Sequence, residues 1–569
     1  MERIADFLSG KTILITGGTG FVTKGLVEKL VRTAPGLRRV VLLIREQSRA
    51  SGETLTATYR LRREVIGSRV FDRLRRERQS AFEAEIVSKL EAVPFDLTRH
   101  RLGLDDATYA RLAAEVDIVI SVAASVNFDE RLDRALEVNT LGPRRVVRFA
   151  RDCKDAVYLQ VSTAYVGGCQ TGRIPETELP RDRTLAQMVN GGSSGDGPFD
   201  IDAEIESIQD LSRKTETESR SDAVTAELTE QLSRQNKGKR VTQHRLTHQM
   251  DALRSRWVNA QMVTEGRRRA RQMGWHDSYT LTKAMGEQLV GACRGDLPAA
   301  IVRPSIIESS LEDPEAGWLD GLKVADPLIA HFGKGRLSDF PGDPNVTLDV
   351  IPVDIVVNAV IAALPRIRPS DDITVYHVAT GDRNPMKVGE VFQLVYEYFK
   401  KNPMQTRDGV PIPVHRWRFP GLKQFQRKLR LRYGAPLSLL SGLIDRTSFL
   451  PWSARFRRSL SIQQATLQRV LSLSEIYSPY THLDCTFDTS NTRRLHETMH
   501  PEDRDLFNLD VTRINWAHYI QNVHIPGLKR FVLKSDDGFP PNASGPSAPA
   551  TATDSVPLKQ VPGNQLSGG

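Results

Sequence analysis

Tyr279 and Lys283 stand four positions apart in Tyr279-Thr280-Leu281-Thr282-Lys283, so on a helix they share one face and can act together on a carbonyl. A free tyrosine, with a pKa of about 10, is a sluggish acid or base at neutral pH, and an ammonium beside it favours the phenolate. Ser162 and Thr163 follow the apolar run Val157 to Val161. Hydroxyls at a strand end can stabilise the oxyanion of a reacting carbonyl, with Thr163 the favoured contact. Each pair also has a plainer reading, an exposed helix face for the first and simple capping for the second.

These residues need a frame, and the chain supplies one. Near the start, Thr12-Ile13-Leu14-Ile15 leads into Thr16-Gly17-Gly18-Thr19-Gly20-Phe21 and then a helical pattern with Leu26, Val27, Leu30 and Val31. Strand, glycine turn and helix make a dinucleotide site, because Gly17 and Gly20 let backbone N–H groups and a helix N-terminus approach a pyrophosphate. Thr23 stands where a third glycine is usual and is expected to alter helix packing. Further strand-length apolar runs, Val40 to Ile44, Val116 to Val122, Val157 to Val161, Ala300 to Pro304 and Ile373 to Val378, predict a doubly wound parallel α/β sheet of the Rossmann type.

The second strand ends Leu42-Leu43-Ile44-Arg45, with an arginine where an acidic residue would receive a ribose 2′-hydroxyl. That suits a 2′-phosphate, hence NADPH, although a strand-end arginine can also be merely solvated. Asp96 and Leu97, after Val93-Pro94-Phe95, sit where a carboxylate meets adenine, and Ala123 and Ala124 are small enough for a cofactor to cross the sheet. Lys283 can also hold the nicotinamide ribose.

The 569 residues, 40% hydrophobic, are enough for two or three structural units. Residues 1–383 read as the NADPH-binding unit, interrupted over 172–275 by a polar, largely helical insertion that contains a glycine and serine cluster at 191–197. Residues 384–534 read as a mostly helical C-terminal domain, and 535–569, dominated by Pro, Ser, Ala and Gly, as a disordered tail. The four cysteines lack Cys-x-x-Cys spacing, so no metal site is assigned and a reducing compartment is expected. No secretory signal or run of about 20 apolar residues is present, which predicts a cytoplasmic protein. A net charge of +9 suits polyanions such as nucleotide cofactors and anionic lipid, and no nucleic-acid-binding motif accompanies it. Trp417, Phe419, Leu422, Phe425, Leu429 and Leu431 alternate with Arg416, Arg418, Lys423, Arg427, Lys428, Arg430 and Arg432, a composition fit for peripheral contact with an anionic membrane, for CoA phosphates, or for an ordinary helix with one packed face.

Several stretches together, Lys11 to Phe21, Leu42 to Arg45, Ala123 to Glu130, Val161 to Val166, Tyr279 to Leu289 and Ile301 to Ile307, resemble the alcohol-forming fatty acyl-CoA reductases of the extended short-chain dehydrogenase/reductase group. Gly317 to Gly321, Gly342-Asp343-Pro344, Ile351 to Asp354, Pro501-Glu502-Asp503, Leu506-Phe507 and Asn515-Trp516 extend the resemblance over residues 1–534, most closely to bacterial, wax-ester-associated members that carry a long insertion before the tyrosine. The resemblance implies reduction of a long-chain fatty acyl-CoA, or the same chain on an acyl carrier protein, through a bound aldehyde to a primary alcohol with two NADPH. It implies Thr163, Tyr279 and Lys283 as the active triad, with Ser162 beside them. It implies a cofactor set of Thr16, Gly17, Thr19, Gly20, Phe21, Val22, Arg45, Asp96, Leu97, Ala123, Ala124, Lys283 and Pro304. Two rivals stand beside it: an aldehyde-forming thioester reductase, and a regulator that senses NADPH without chemistry. From 163 to 279 the hydroxyl and the tyrosine are far apart, which locates the insertion beside the catalytic face and makes it a candidate for the acyl site, with the C-terminal region.

Overall fold

In a computed structural model, which describes residues 2–49, 52–189, 197–236, 241–406, 408–438, 440 and 453–533, seven strands form one parallel sheet. They are β1 (Thr12–Thr16), β2 (Arg39–Ile44), β3 (Leu90–Pro94), β4 (Ile118–Ser121), β5 (Val157–Val161), β6 (Ala299–Pro304) and β7 (Thr374–Val378), in the spatial order 3-2-1-4-5-6-7. Every adjacent pair is parallel, with Ile13 opposite Val40 and Ile118, and Leu159 opposite Ala300. The reversal of strand order between β1 and β4 opens a crevice at the carboxyl ends, the usual ligand position in such sheets.

Both faces of the sheet are covered, which is why its central strands read as continuous apolar runs. Ile13 and Ile15 point into one core with helices α1 (Phe21–Thr33) and α7 (Val353–Ala363), while Leu14 points into the other with α2 (Gly142–Asp152). The strand absent from the sequence reading is β3. It lies at the sheet edge and its first three residues are only half-buried, so no apolar run marks it. Its Pro94 is tolerated because an edge strand has a free side.

The insertion contributes α3 (Ile201–Glu218), α4 (Asp222–Asn236) and the long α5 (Gln243–Met273), followed by α6 (Ser278–Cys293). Ile205, Ile208, Val258, Met262 and Ala270 bury against Leu281, Met285 and Leu289 of α6, so the inserted helices brace the helix that carries Tyr279. Val224, Leu228, Leu232 and Leu253 make a small separate cluster farther out. Most of the glycine and serine cluster, and all of 535–569, fall outside the described residues.

The C-terminal residues include α8 (Leu422–Leu429) and α9 (Ser453–Tyr477). They share the main core: Phe399, Phe425, Phe507, Tyr519 and Ile525 are buried in the same cluster as Ile13 and Ile15. Cys485–Phe487 also pairs in parallel with Gly172–Ile174, at the start of the insertion. The aromatic residues of the basic block turn inward. Trp417 stacks on Phe332 at 4.6 Å, Phe419 meets Phe392 at 5.5 Å and Phe425 meets Phe340 at 6.0 Å. Leu431, 62% exposed, is the apolar side chain of the block that faces solvent. Among the described residues no helix is long and apolar enough to cross a membrane.

Candidate active site

The glycine turn is built for a close visitor. Gly17 has φ +73, and a Cβ there would stand 3.0 Å from Cα of Ala123; one on Gly18 would stand 2.7 Å from a side-chain carbon of Ile44. Gly20 caps α1 without any side-chain acceptor, which leaves the first N–H groups of the helix free for an anion. These are the features a pyrophosphate requires, so the residues present fit a dinucleotide. Thr16 plays another part: its Oγ1 accepts from the N–H groups of Val122 and Ala123, both at 3.0 Å, and ties β1 to the end of β4. Thr23 is fully buried, and the close helix packing expected of a third glycine comes from Gly25, where a Cβ would stand 3.3 Å from Val357 and 3.4 Å from Trp318.

Phe21 and Val22 open α1, with the ring of Phe21 4.9 Å from that of Trp318 and 4.0 Å from Lys323 Nζ. Arg45 is exposed at the end of β2. Sequence reasoning missed its neighbour Arg60, which donates to the Arg45 carbonyl at 2.5 Å, approaches Thr19 Oγ1 at 3.4 Å and pairs with Glu64 at 2.7 Å. Arg60 arrives by an excursion after β2 that carries no motif. Asp96 lies within the field of Arg45; burial raises its carboxyl, but two hydrogen bonds from Thr98 and the charges of Arg99 and Arg45 outweigh that and hold it below the usual range. Leu97 is buried on Gly142, where a Cβ would come within 2.7 Å of it.

Across the crevice, α6 begins with a strong cap. Asp277 accepts from Thr280 N at 2.8 Å in a capping box, and its other oxygen accepts from Tyr480 Oη of the C-terminal region at 2.6 Å. The cap sets Tyr279 in the first turn. The Tyr279 hydroxyl lies beside Thr163, whose Oγ1 donates to the Pro304 carbonyl at 3.5 Å and accepts from Tyr165 N at 3.3 Å. Thr163 is thus the hydroxyl that meets the tyrosine, while the buried Ser162 Oγ has no hydrogen-bond partner. Although an edge of Tyr279 still meets solvent, burial of its hydroxyl pushes the pKa up, Asp277 adds to the rise, and Thr163 lowers it only in part.

Lys283 is buried on α6. Its Nζ donates to the Val161 carbonyl at 2.9 Å, and burial brings its pKa down to about 8 against a smaller upward pull from Glu287. Burial keeps the Tyr279 phenol protonated, its pKa raised above the usual value.

Asn139 is a second residue that sequence reasoning missed. Its side chain accepts from Ser125 N at 2.8 Å and donates to Ser125 O at 3.0 Å and Thr282 Oγ1 at 3.2 Å, clasping the Ala123-Ala124 loop to α6. It sits in a π-helical turn, Glu137–Leu141, a local widening that often marks functional positions. Above Tyr279, Phe128 lies ring to edge at 5.4 Å and continues into Tyr477 at 6.1 Å and Tyr480 at 5.5 Å.

Farther out, Glu308, Asp326 and His524 converge in the interior, with His524 Nε2 3.1 Å from Asp326 and 4.0 Å from Glu308. Burial disfavours the imidazolium, but Asp326 and Glu308 outweigh it and raise the histidine, and Lys323 lies in the same field. Burial, with the charge of Asp326 beside it, pushes the Glu308 carboxyl up to about 8.

Two family models described as "Male sterility protein" match the chain, one over residues 15–360 and the other over 453–535. Fatty acyl-CoA reductase 1 of Arabidopsis thaliana is 36% identical over 94% of this chain and 99% of its own length. The chloroplastic fatty acyl-CoA reductase 2 of the same plant is 35% identical over 93% and 80%. The alcohol-forming fatty acyl-CoA reductase of Simmondsia chinensis is 32% identical over 94% and 99%. Among solved structures, the terminal R domain of the myxalamid PKS-NRPS pathway shares the fold at a TM-score of 0.53, 16% identity and 91% coverage of both chains. With a dinucleotide cradle facing a Thr163–Tyr279 hydroxyl pair, and relatives aligned over nearly their whole length, the chain belongs to the fatty acyl-CoA reductase family.

Proposed function

We propose that this protein reduces a long-chain acyl-CoA to a primary alcohol through a bound aldehyde, with NADPH as the reductant. The observation that carries the reading is the adjacent Thr163–Tyr279 hydroxyl pair, its phenol kept protonated, in a chain that also holds a glycine cradle. When bound, NADPH supplies hydride to the carbonyl carbon. Thr163 and Tyr279 then donate to the oxygen on which negative charge develops, where removal from bulk water strengthens each bond. Collapse of the hemithioacetal breaks the C–S bond and expels the CoA thiolate, leaving the aldehyde on the same two hydroxyls. In the second round Tyr279 gives its proton to the alkoxide, and a proton drawn from solvent restores the phenol. The balance is one thioester, two NADPH and two protons to one alcohol, one thiol and two NADP⁺.

A protonated tyrosine suits this chemistry, since both rounds need a donor at oxygen and neither needs a base. The preference for NADPH rests on Arg45, the first residue after β2, with Arg60 beside it. The alcohol product rests on the C-terminal region, whose Tyr477 and Tyr480 extend the apolar wall above Tyr279, and on the name of the Simmondsia chinensis relative. The long insertion before Tyr279 supports likeness to wax-ester-associated members. The exposed Arg416, Lys423, Arg427, Arg430 and Arg432 suit an anionic lipid surface or the CoA phosphates.

The deciding measurement is NADPH consumed per thiol released with a long-chain acyl-CoA, coupled to product identification. Two NADPH per thiol with alcohol as product supports the proposal. One NADPH with free aldehyde selects an aldehyde-forming reductase, and no turnover with intact cofactor binding selects a sensor.

A further inference from the structure

A reductase that takes a thioester to an alcohol at one site must keep the aldehyde while spent cofactor leaves and fresh cofactor enters. Three stretches of chain that are remote in sequence meet beside the wall where that aldehyde would lie. Asp129, next to Phe128, accepts from Arg267 of α5 and, on its other oxygen, from Ser472 of α9 at 3.1 Å. Arg267 reaches Glu475 of α9 at 3.4 Å, and Gln426 of α8 donates to the same carboxylate at 2.9 Å. The loop that carries Phe128 is fixed at its other end by the Asn139 clasp on Ser125.

From this geometry we infer that Arg267, bridging Asp129 and Glu475, is a product-determining latch: it pins Phe128 against Tyr279 and retains the aldehyde between the two reductions. The inference rests on the alcohol-forming reading above. The pins are unequal in kind. The Asn139 clasp and the Tyr480–Asp277 bond lie in the interior, whereas Asp129, Arg267 and Glu475 keep 32%, 26% and 41% of their side-chain surface in solvent. Partly exposed ion pairs are individually weak and are screened by salt, so this end of the loop is the one that opens. Opening lifts Phe128 while the Thr163–Tyr279 pair stays in place on β5 and α6. Chemistry on the thioester therefore continues, and only the fate of the aldehyde changes.

The test compares wild type, Arg267→Ala, Asp129→Asn and Arg267→Lys, with released aldehyde, alcohol, thiol and NADPH measured in the same reactions at low and high ionic strength. Arg267→Ala and Asp129→Asn are expected to release several-fold more aldehyde, to move NADPH per thiol from two toward one, and to release thiol within about twofold of the wild-type rate. Arg267→Lys should restore most retention, and salt should raise wild-type leakage but not that of Arg267→Ala. Hydrogen exchange over residues 125–130 should quicken in the leaking variants before substrate is added. If both variants fold and still give alcohol alone at two NADPH per thiol, the latch is overturned and the alcohol-forming reading stands. If wild type itself releases only aldehyde, both fall together. Should Arg267→Ala not fold, Glu475→Gln carries the same expectation from the other side of the bridge.

Discussion

Gly286 offers a sharp test of how α6 is seated. It lies seven residues after Tyr279, two turns along the same helix face, and a methyl group there would stand 2.2 Å from the Asn139 carbonyl oxygen and 3.3 Å from its carbon. The obstacle is backbone in the π-helical turn Glu137–Leu141, and the Asn139 side chain is already committed to Ser125 and Thr282. Neither side can give by a rotamer change, so α6 would have to move outward by on the order of 1 Å to reach ordinary contact. Overpacking of this kind costs ~1–3 kcal/mol. Against it stands the ordinary gain of Gly→Ala inside a helix, about 1 kcal/mol. Gly286→Ala should therefore lose up to ~2 kcal/mol in urea unfolding with an unchanged m-value. A shift of that size at Tyr279 should also lower the rate of thiol release by ~10- to 100-fold, by the usual cost of misplacing a catalytic group by an ångström. A Gly286→Ala variant that is more stable than wild type and equally active would refute this seating of α6.

Three further outcomes are expected. Arg45→Asp should weaken NADPH and favour NADH by at least tenfold in kcat/KM, and retention of wild-type preference would leave Arg60 as the discriminating cation. Tyr480→Phe removes a donor from the buried Asp277 carboxylate, so stability should fall by ~1.5–3 kcal/mol, and kcat should fall without change in cofactor affinity; an unmoved kcat would detach the cap from the chemistry. Lys283 is depressed from 10.5 to about 8 in the fold, so the unfolded chain binds more protons between those values and the lysine's cost is fully present below about 8. Its contribution to stability should rise by up to about 1.4 kcal/mol per pH unit through that window. Subtracting the stability profile of Lys283→Met from that of wild type should show this rise, and a flat difference would contradict the assigned burial.

The central strands were legible because burial on both faces leaves a chemical trace in every residue of Ile13-Leu14-Ile15 or Val40 to Ile44. The edge strand Leu90–Pro94 leaves none, since half-buried positions accept Glu91 as readily as Val93. The candidate site was proposed from residue types, because a tyrosine and lysine four apart and a hydroxyl after a strand are local patterns. Which group titrates which was not local. Lys283 spends its proton on the Val161 carbonyl, a bond that exists only once β5 and α6 are packed. Asn139 was hidden inside a helical run, and nothing in the spacing shows that its side chain points across at Ser125. The basic block Arg416 to Arg432 failed to specify its surroundings for a related reason: an amphipathic composition is the same whether its aromatics face lipid or, as here, Phe332, Phe340 and Phe392.

The pairing of Cys485–Phe487 with Gly172–Ile174 has a consequence for biogenesis. The seven strands of the main sheet have all left the ribosome once β7 has, yet Cys485–Phe487, which pairs with Gly172–Ile174 in a separate two-stranded sheet, is synthesised more than three hundred residues after that partner. Such distant pairing is slow, because a long loop must close before any contact rewards it. Until then the nascent chain carries an unpaired Gly172–Ile174 edge and lacks Tyr480, the donor to the cap of α6. Emergence of the last fifth of the chain is thus the step that switches the polypeptide from a nucleotide-binding fold with a sticky margin to a working enzyme. Ribosome stalling before residue 485 should yield chains that depend on chaperones for solubility.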